Sequence, residues 1–259
     1  MVNSESEEQL KFCMLRLADI DKQPHKILMP ISGYEDLPLV SLEHAVTPLI
    51  SLIPDIQKYA HVAKQNCNEP ADGLTRDESA AIMLHTMNWE PIDKCLYFKL
   101  NEALRSKDRV SLKPWFLFLK LFLTAFHKLP SISHRTVYRG CRLDLKEYYK
   151  AENTVIWWGF STCTPSIRTL EAEHIVGKTG TRTLFVIECY SGKYIGKHSY
   201  YSSDDEIILI LPATQFIMTS CSDVGSGLCI VNLKEMTPIF TLLKPVKIDI
   251  AQAESGVCK

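Results

Sequence analysis

The chain has 259 residues, 46% of them hydrophobic and 23% charged, enough to bury a sizeable core in one large domain or two small ones. A formal net charge of −1 supplies no field to draw in nucleic acid or an anionic membrane. Nine cysteines without a single C-x-x-C pair argue against zinc and for reduced thiols in a cytoplasmic protein.

Residues 1–30 read as a polar helix or linker. Acids precede any apolar run, so the basic start and apolar stretch of a signal peptide are missing. Residues 31–130 read as helical. "SLEHAVTPLISLIPDIQKYAHVAKQ" (41–65) places apolar residues at helical spacing, interrupted by Pro48 and Pro54. Thr75 and Glu78 stand in capping-box spacing, so each side chain can satisfy a backbone donor at a helix start. "DKCLYFKLNEALRS" (93–106) aligns Leu96, Leu100, Ala103 and Leu104 on one face. "PWFLFLKLFLTAF" (114–126) is too short to span a bilayer and predicts a buried helix interrupted by Lys120, with Pro114 at a tolerated first-turn position.

After residue 130 the period changes. Five β-type runs, 135–143, 154–164, 181–189, 206–220 and 228–236, are rich in branched and aromatic residues, and one helix, 166–177, interrupts them. Helices first and strands later predict an α+β fold: a helical part over 31–130, a β-rich core over 131–245 and a tail over 246–259.

Three β segments carry candidate chemistry. Arg139 in "TVYRG" suits bidentate binding of phosphate, and Gly140 lets another group approach the backbone; taken alone, the motif reads more readily as an edge-strand arginine facing water. "WWGFSTCT" supplies the hydroxyls of Ser161, Thr162 and Thr164. It lacks a G-x-S-x-G elbow, and Cys163 reads better as a small buried residue than as a nucleophile. Trp157 and Trp158 read as core and rim, with one of them able to face a ligand. In "SSDDEIIL", strand alternation turns Asp204 and Glu206 to one side and Asp205 to the other. Two acids on one face divide acid–base labour, while the plainer reading is a solvated turn; a calcium loop lacks its acid spacing and glycine.

The order of these segments, Arg, then Ser-Thr, then an acid two residues before a Glu, resembles the arginine–serine–glutamate class of ADP-ribosyltransferases. The blocks "DGLTRDESAAIMLHTMNW", "TVYRG", "WWGFSTCT", "GTRTLFVIE" and "LPATQF" carry the likeness from about residue 35 to about 236. The resemblance implies two sheets with a cleft for NAD, a helical part packed on them, and no metal. NAD would be a consumed substrate and a protein arginine the acceptor. It implies that Arg139 holds the phosphate or ribose on the nicotinamide side, with Gly140, Tyr138, Thr162 and Trp158 around the dinucleotide. Ser161 would orient the catalytic Glu206, and Asp204 would receive the incoming guanidinium. Cys163 replaces the second serine of the family's S-T-S. Asp204 replaces a glutamate and is shorter by one methylene; a shift of about 1 Å can cost on the order of a hundredfold in rate, which would weaken arginine transfer and give NAD hydrolysis a larger share.

The stretch before Pro212 is one residue longer than the family's. Counted from Pro212, the glutamate position falls on Ile207, as in an inactive binding module; counted from His198, it falls on Glu206, the assignment adopted, with a β-bulge absorbing the extra residue. Loop 190–203, with Lys193, Lys197, His198, Tyr200 and Tyr201, is where the resemblance puts contact with the acceptor.

Overall fold

The computed structural model describes residues 16, 19–24, 26–133, 135–150, 153–172, 175–200 and 207–247. From residue 42 on, the described residues form the helices α1 (Leu42–Val46), α2 (Ile56–Gln65), α3 (Arg76–Thr86), α4 (Leu96–Arg105) and α5 (Phe116–Lys128). Pro48 lies in the 3-10 turn that follows α1, and Asp55, after Pro54, takes a left-handed conformation at the start of α2, so the prolines divide the 41–65 pattern where their rings disallow helix.

At α3 the capping box is complete: Glu78 N–H donates to Thr75 Oγ1 at 3.2 Å and Thr75 N–H to Glu78 Oε2 at 2.8 Å. Lys128 of α5 pairs with the buried Glu78 carboxylate at 2.7 Å. Thr75→Ala is expected to lower unfolding stability by about 1 kcal/mol, read as a shift of the urea midpoint at unchanged slope.

Helix α5 is apolar nearly all round and buries Phe118, Phe122 and Phe126, as a helix enclosed by neighbours does. The lysine in that run is also buried; Lys120 Nζ donates to the carbonyls of Glu35 and Lys247 at 2.9 and 3.0 Å. This satisfies the charge and fastens two distant segments to the helix.

Among the described residues eight strands follow: β1 (Arg135–Cys141), β2 (Thr154–Trp157), β3 (Ser161–Cys163), β4 (Arg182–Cys189), β5 (Lys193–Tyr194), β6 (Ile208–Ile210), β7 (Thr214–Asp223) and β8 (Leu228–Met236). One sheet runs β1-β4-β8-β7-β2, with β4 and β8 parallel and the rest antiparallel; a second runs β3-β6-β5. The fold is therefore α+β with two sheets, one of them mixed. One core cluster joins the helices to Trp158, Phe160, Ile195 and Leu209; another holds Val137, Trp157, Phe185, Phe216 and Val231 between the sheets.

Two predicted strands each divide between sheets. The 154–164 run breaks at Trp158–Phe160, passing from β2 in the larger sheet to β3 in the smaller, and the 206–220 run breaks at Leu211–Ala213 on the way from β6 to β7. Ala213 makes the second corner in a left-handed conformation (φ 60°), which costs an alanine about 1 kcal/mol. Helix α6 covers only Ile167–Glu171 of the predicted 166–177. The chain then trades helical bonds for turns, Val176 N–H donating to Leu170 O and Gly177 N–H to Ala172 O. The expected bulge is not found in the described part of the 207–212 stretch: β6 pairs in continuous register with β3, and the register shift lies in β7, between Met218 and Ser220.

Candidate active site

The two sheets meet where Tyr138 of β1 and Thr164, just beyond β3, exchange both backbone hydrogen bonds, at 2.7 and 2.9 Å. Alternation along β1 then sends Val137, Arg139 and Cys141 inward. Arg139 is wholly buried, its guanidinium 5.7 Å from the Trp157 ring. It is not the water-facing edge arginine that its motif alone suggests. Its Nη2 donates to Asp19 Oδ1 at 2.7 Å and to the Arg16 carbonyl at 2.8 Å. Burial opposes its charge, but Asp19 together with Tyr97, Cys163 and Cys141 outweighs it, and the pKa lies above its ordinary value.

The other Asp19 oxygen accepts from Arg105 Nη2 at 2.9 Å and Asn101 Nδ2 at 3.2 Å, both from α4. Two arginines and an amide thus converge on a single carboxylate. This arrangement suits an anion with several oxygens. Asn101 also clasps the strand preceding β3: its Oδ1 accepts from Phe160 N–H at 2.8 Å and its Nδ2 donates to Phe160 O at 3.2 Å. Gly159 makes this possible, because a Cβ there would sit 2.8 Å from Arg105 Nη2 and 2.9 Å from Asn101 Oδ1.

Ser161 and Cys163 share the buried face of β3, with Thr162 half-buried on the other. Cys163 interacts electrostatically with Arg139; burial pushes its thiol up to about 12 against that attraction, so it stays protonated at neutral pH and is not a poised nucleophile. Ser161 Oγ makes one long bond, 3.4 Å, to Gly159 O. The strand face carrying Ser161 and the guanidinium of Arg139 are thus brought together. Other expected residues lie apart. Tyr138 faces α6 and packs against the cluster of Leu170, Val176 and Leu184. Gly140 is covered by Val176, whose Cγ2 would meet a Cβ at 2.8 Å, so the close approach it permits is a packing contact. Trp158 belongs to the helical core, stacked under Arg109 at 4.7 Å, with its N–H donating to Gln23 Oε1 at 2.8 Å.

Asp204, Asp205, Glu206 and Tyr201 lie outside the described residues. The strand after them is informative. Ile208 and Ile210 join the cluster between the sheets, whereas Ile207 and Leu209 pack toward the helices. Ile207, the alternative glutamate position, therefore sits on the face turned away from Arg139.

Loop 190–200 is anchored rather than free. Lys193 Nζ donates to Leu129 O and Ser131 Oγ at 2.7 and 2.8 Å, and Lys197 pairs with Asp72 at 3.2 Å. His198 is buried, with Nε2 3.2 Å from the Asp72 carboxylate and Nδ1 2.9 Å from Ser79 Oγ; burial draws its pKa down against the pull of Asp72. The Ser–His–Asp series is a tie between the loop and α3, since Ser79 is itself buried. His198 therefore lends the loop no basic surface. Tyr200 is exposed, and its N–H donates to Thr86 Oγ1 at 2.8 Å.

Sequence reasoning overlooked Asp19, Asn101 and Arg105. The last two stand at i and i+4 in "LNEALR", a spacing that puts two polar groups on one helix face beside leucines, and that was the available signal. Nothing in "ADIDK" distinguishes Asp19 from Asp21. Among the described residues, no cluster of three or more His, Cys, Asp or Glu is disposed to hold a metal, and no helix is long and apolar enough to cross a membrane.

No curated protein matches the chain. Solved structures do. The type III effector XopAI of Xanthomonas axonopodis pv. citri is 16% identical over 90% of this chain and 94% of its own, with a TM-score of 0.56. A mutant of the eukaryotic mono-ADP-ribosyltransferase ART2.2 in complex with NAD is 17% identical over 77% and 86%, at 0.57. Vis, an ADP-ribosyltransferase from Vibrio splendidus, is 16% identical over 83% and 98%, at 0.52 in its complex with an inhibitor. These likenesses establish the fold. The NAD:arginine ADP-ribosyltransferase family matches residues 52–238, well over half the chain and the whole stretch from α2 to β8, and to that family of NAD-consuming transferases this chain belongs.

Proposed function

We propose that the protein transfers ADP-ribose from NAD to arginine side chains of proteins and releases nicotinamide. The observation that carries this reading is the junction of the sheets, where a family match meets a buried arginine, Arg139, set against the strand that bears Ser161. In the reaction, Arg139, with Arg105 and Asn101 beside it, holds the phosphates of NAD. The glycosidic bond to nicotinamide breaks, and nicotinamide leaves as a neutral molecule with the bonding electron pair. Its positive charge in NAD already activates it, so departure needs no Lewis acid. Glu206, steadied by Ser161, stabilises the oxocarbenium-like sugar and binds its 2′-hydroxyl. An acceptor guanidinium nitrogen then bonds to the sugar, and Asp204 takes the proton that it loses. Period-two alternation supports Glu206 over Ile207, because Ile208 and Ile210 mark the parity that faces the sheets. Tyr200 meets the acceptor in this reading, which its exposure on the loop before these acids supports.

The test is incubation with NAD labelled in its adenylate half and an arginine-rich protein, beside the same protein with lysine at each arginine. Label on the first and not the second is the expected result. Label on both rejects arginine specificity. Free ADP-ribose alone would assign the protein to NAD hydrolysis, the outcome favoured by the short Asp204 side chain.

A further inference from the structure

We propose that Asp19–Gln23, tethered through Arg16, is an autoinhibitory strap, whose Asp19 carboxylate fills the anion site that a phosphate of NAD must enter. This rests on the reading of Arg139 as a dinucleotide-binding residue.

Asp19 satisfies the site as a substrate anion would. One oxygen meets Arg139 at 2.7 Å and the other meets Arg105 at 2.9 Å and Asn101 at 3.2 Å. Arg139 has no exposed surface, so no anion from solution reaches it while the strap is in place. The open space beside the strap is a cavity of about 490 Å³ bounded by Ile20 and Gln23 of the strap, by Lys26, and by Tyr149, Trp157 and Trp158.

The strap's anchorage is mostly polar and reversible. Arg16 Nη2 donates to the carbonyls of His85, Thr86 and Met87 at 3.1, 2.9 and 3.3 Å, at the end of α3. The Arg16 carbonyl accepts from Arg139 Nη2 and, at 3.2 Å, from Tyr97 Oη. Gln23 Oε1 accepts from Trp158 N–H. Ile20 is the apolar anchor, buried among the residues of the inter-sheet core.

Charge decides why such a strap is exchangeable. Removing Asp19 alone would leave two buried guanidinium groups facing each other, a costly state. Replacing it with a phosphate keeps the charge balance and the donors satisfied, so competition rather than simple opening is the favoured route. The chain downstream permits it. Ile31 is fixed by its bridge to Leu243, its N–H donating to Leu242 O at 2.7 Å, whereas Ile27 and Met29 are exposed. Leu28 is buried in the helical core and Met29 O accepts from Arg109 Nε at 2.8 Å, so the part that can swing while the rest of the fold stays whole is Asp19–Gln23.

The experiment compares the full native chain with full-length Asp19→Asn and Gln23→Ala. It measures the KM for NAD in nicotinamide release, NAD affinity by calorimetry, and hydrogen exchange across 16–23 with and without NAD. Asp19→Asn is expected to lower KM and Kd by about tenfold or more, as the fraction of open sites rises, and Gln23→Ala by about threefold. In the native chain NAD is expected to speed exchange across 16–23. Unchanged affinity in both variants, with 16–23 equally protected in NAD, overturns the strap even if nicotinamide is released. Tighter NAD binding and a loosened strap without any release uphold it and remove the transferase reading instead. If Asp19→Asn fails to fold, Gln23→Ala and exchange in the native chain decide alone.

Discussion

Glutamine in place of Glu206 is expected to cut nicotinamide release from NAD by at least about a thousandfold, equivalent to about 4 kcal/mol of transition-state stabilisation. The amide keeps the size and one acceptor of the carboxylate but not its charge. NAD already carries a positive nicotinamide; as the glycosidic bond stretches, that charge passes to the ribose, and a nearby carboxylate gains attraction at that moment. NAD binding should change far less than the rate, which calorimetry on the same variant would report. The alternative, that the extra residue before Pro212 leaves Ile207 at the catalytic position, predicts no effect of this substitution. It also requires Ile207 to point at Arg139, whereas Ile207 packs with the helical core and Ile208 with the inter-sheet core. A native rate in Glu206→Gln would remove the proposed mechanism.

Much of the fold was legible because its signals are local. The capping box at Thr75 and Glu78, the prolines at 48 and 54, and the apolar run of α5 each act over a few residues, and each appears where local chemistry requires it. The corners at Trp158–Phe160 and Leu211–Ala213 were hidden for the opposite reason. Trp157, Trp158 and Phe160 all read as one apolar strand, but Trp157 serves the inter-sheet core while Trp158 and Phe160 serve the helical one. That assignment depends on which sheet each residue joins, a tertiary fact with no periodic signature. Arg139 was singled out only through the family likeness, as a residue that holds phosphate or ribose; its motif alone favours solvent, and its burial was not legible. Its partner Asp19 comes from 120 residues away, in a stretch whose composition suggests a linker. Polar composition predicts exposure, and a strap that trades charge for charge with a buried arginine escapes that rule.

Phe160→Ala is expected to destabilise the fold by about 3–5 kcal/mol, a large share of the roughly 5–15 kcal/mol that holds a domain together. The ring is fully buried and meets Phe122 of α5 edge-on at 5.0 Å and His85 of α3 at 5.1 Å, so its removal opens a cavity between the helices and the start of β3. Collapse into that space is resisted on both sides. The Phe160 backbone is clamped by Asn101, and His85 is held neutral by burial and by the charge of Arg16, its pKa well below its usual value, so the imidazole is a packing partner and not a buried cation. The same residue precedes Ser161, so a backbone shift that relieved the cavity would move the hydroxyl from Arg139's neighbourhood. Phe160→Leu, which keeps most of the volume, should recover more than half of the loss. Urea unfolding of the two variants measures both effects. A loss below about 1 kcal/mol for alanine would mean that the site collapses freely and that this ring is not what couples the helical layer to β3.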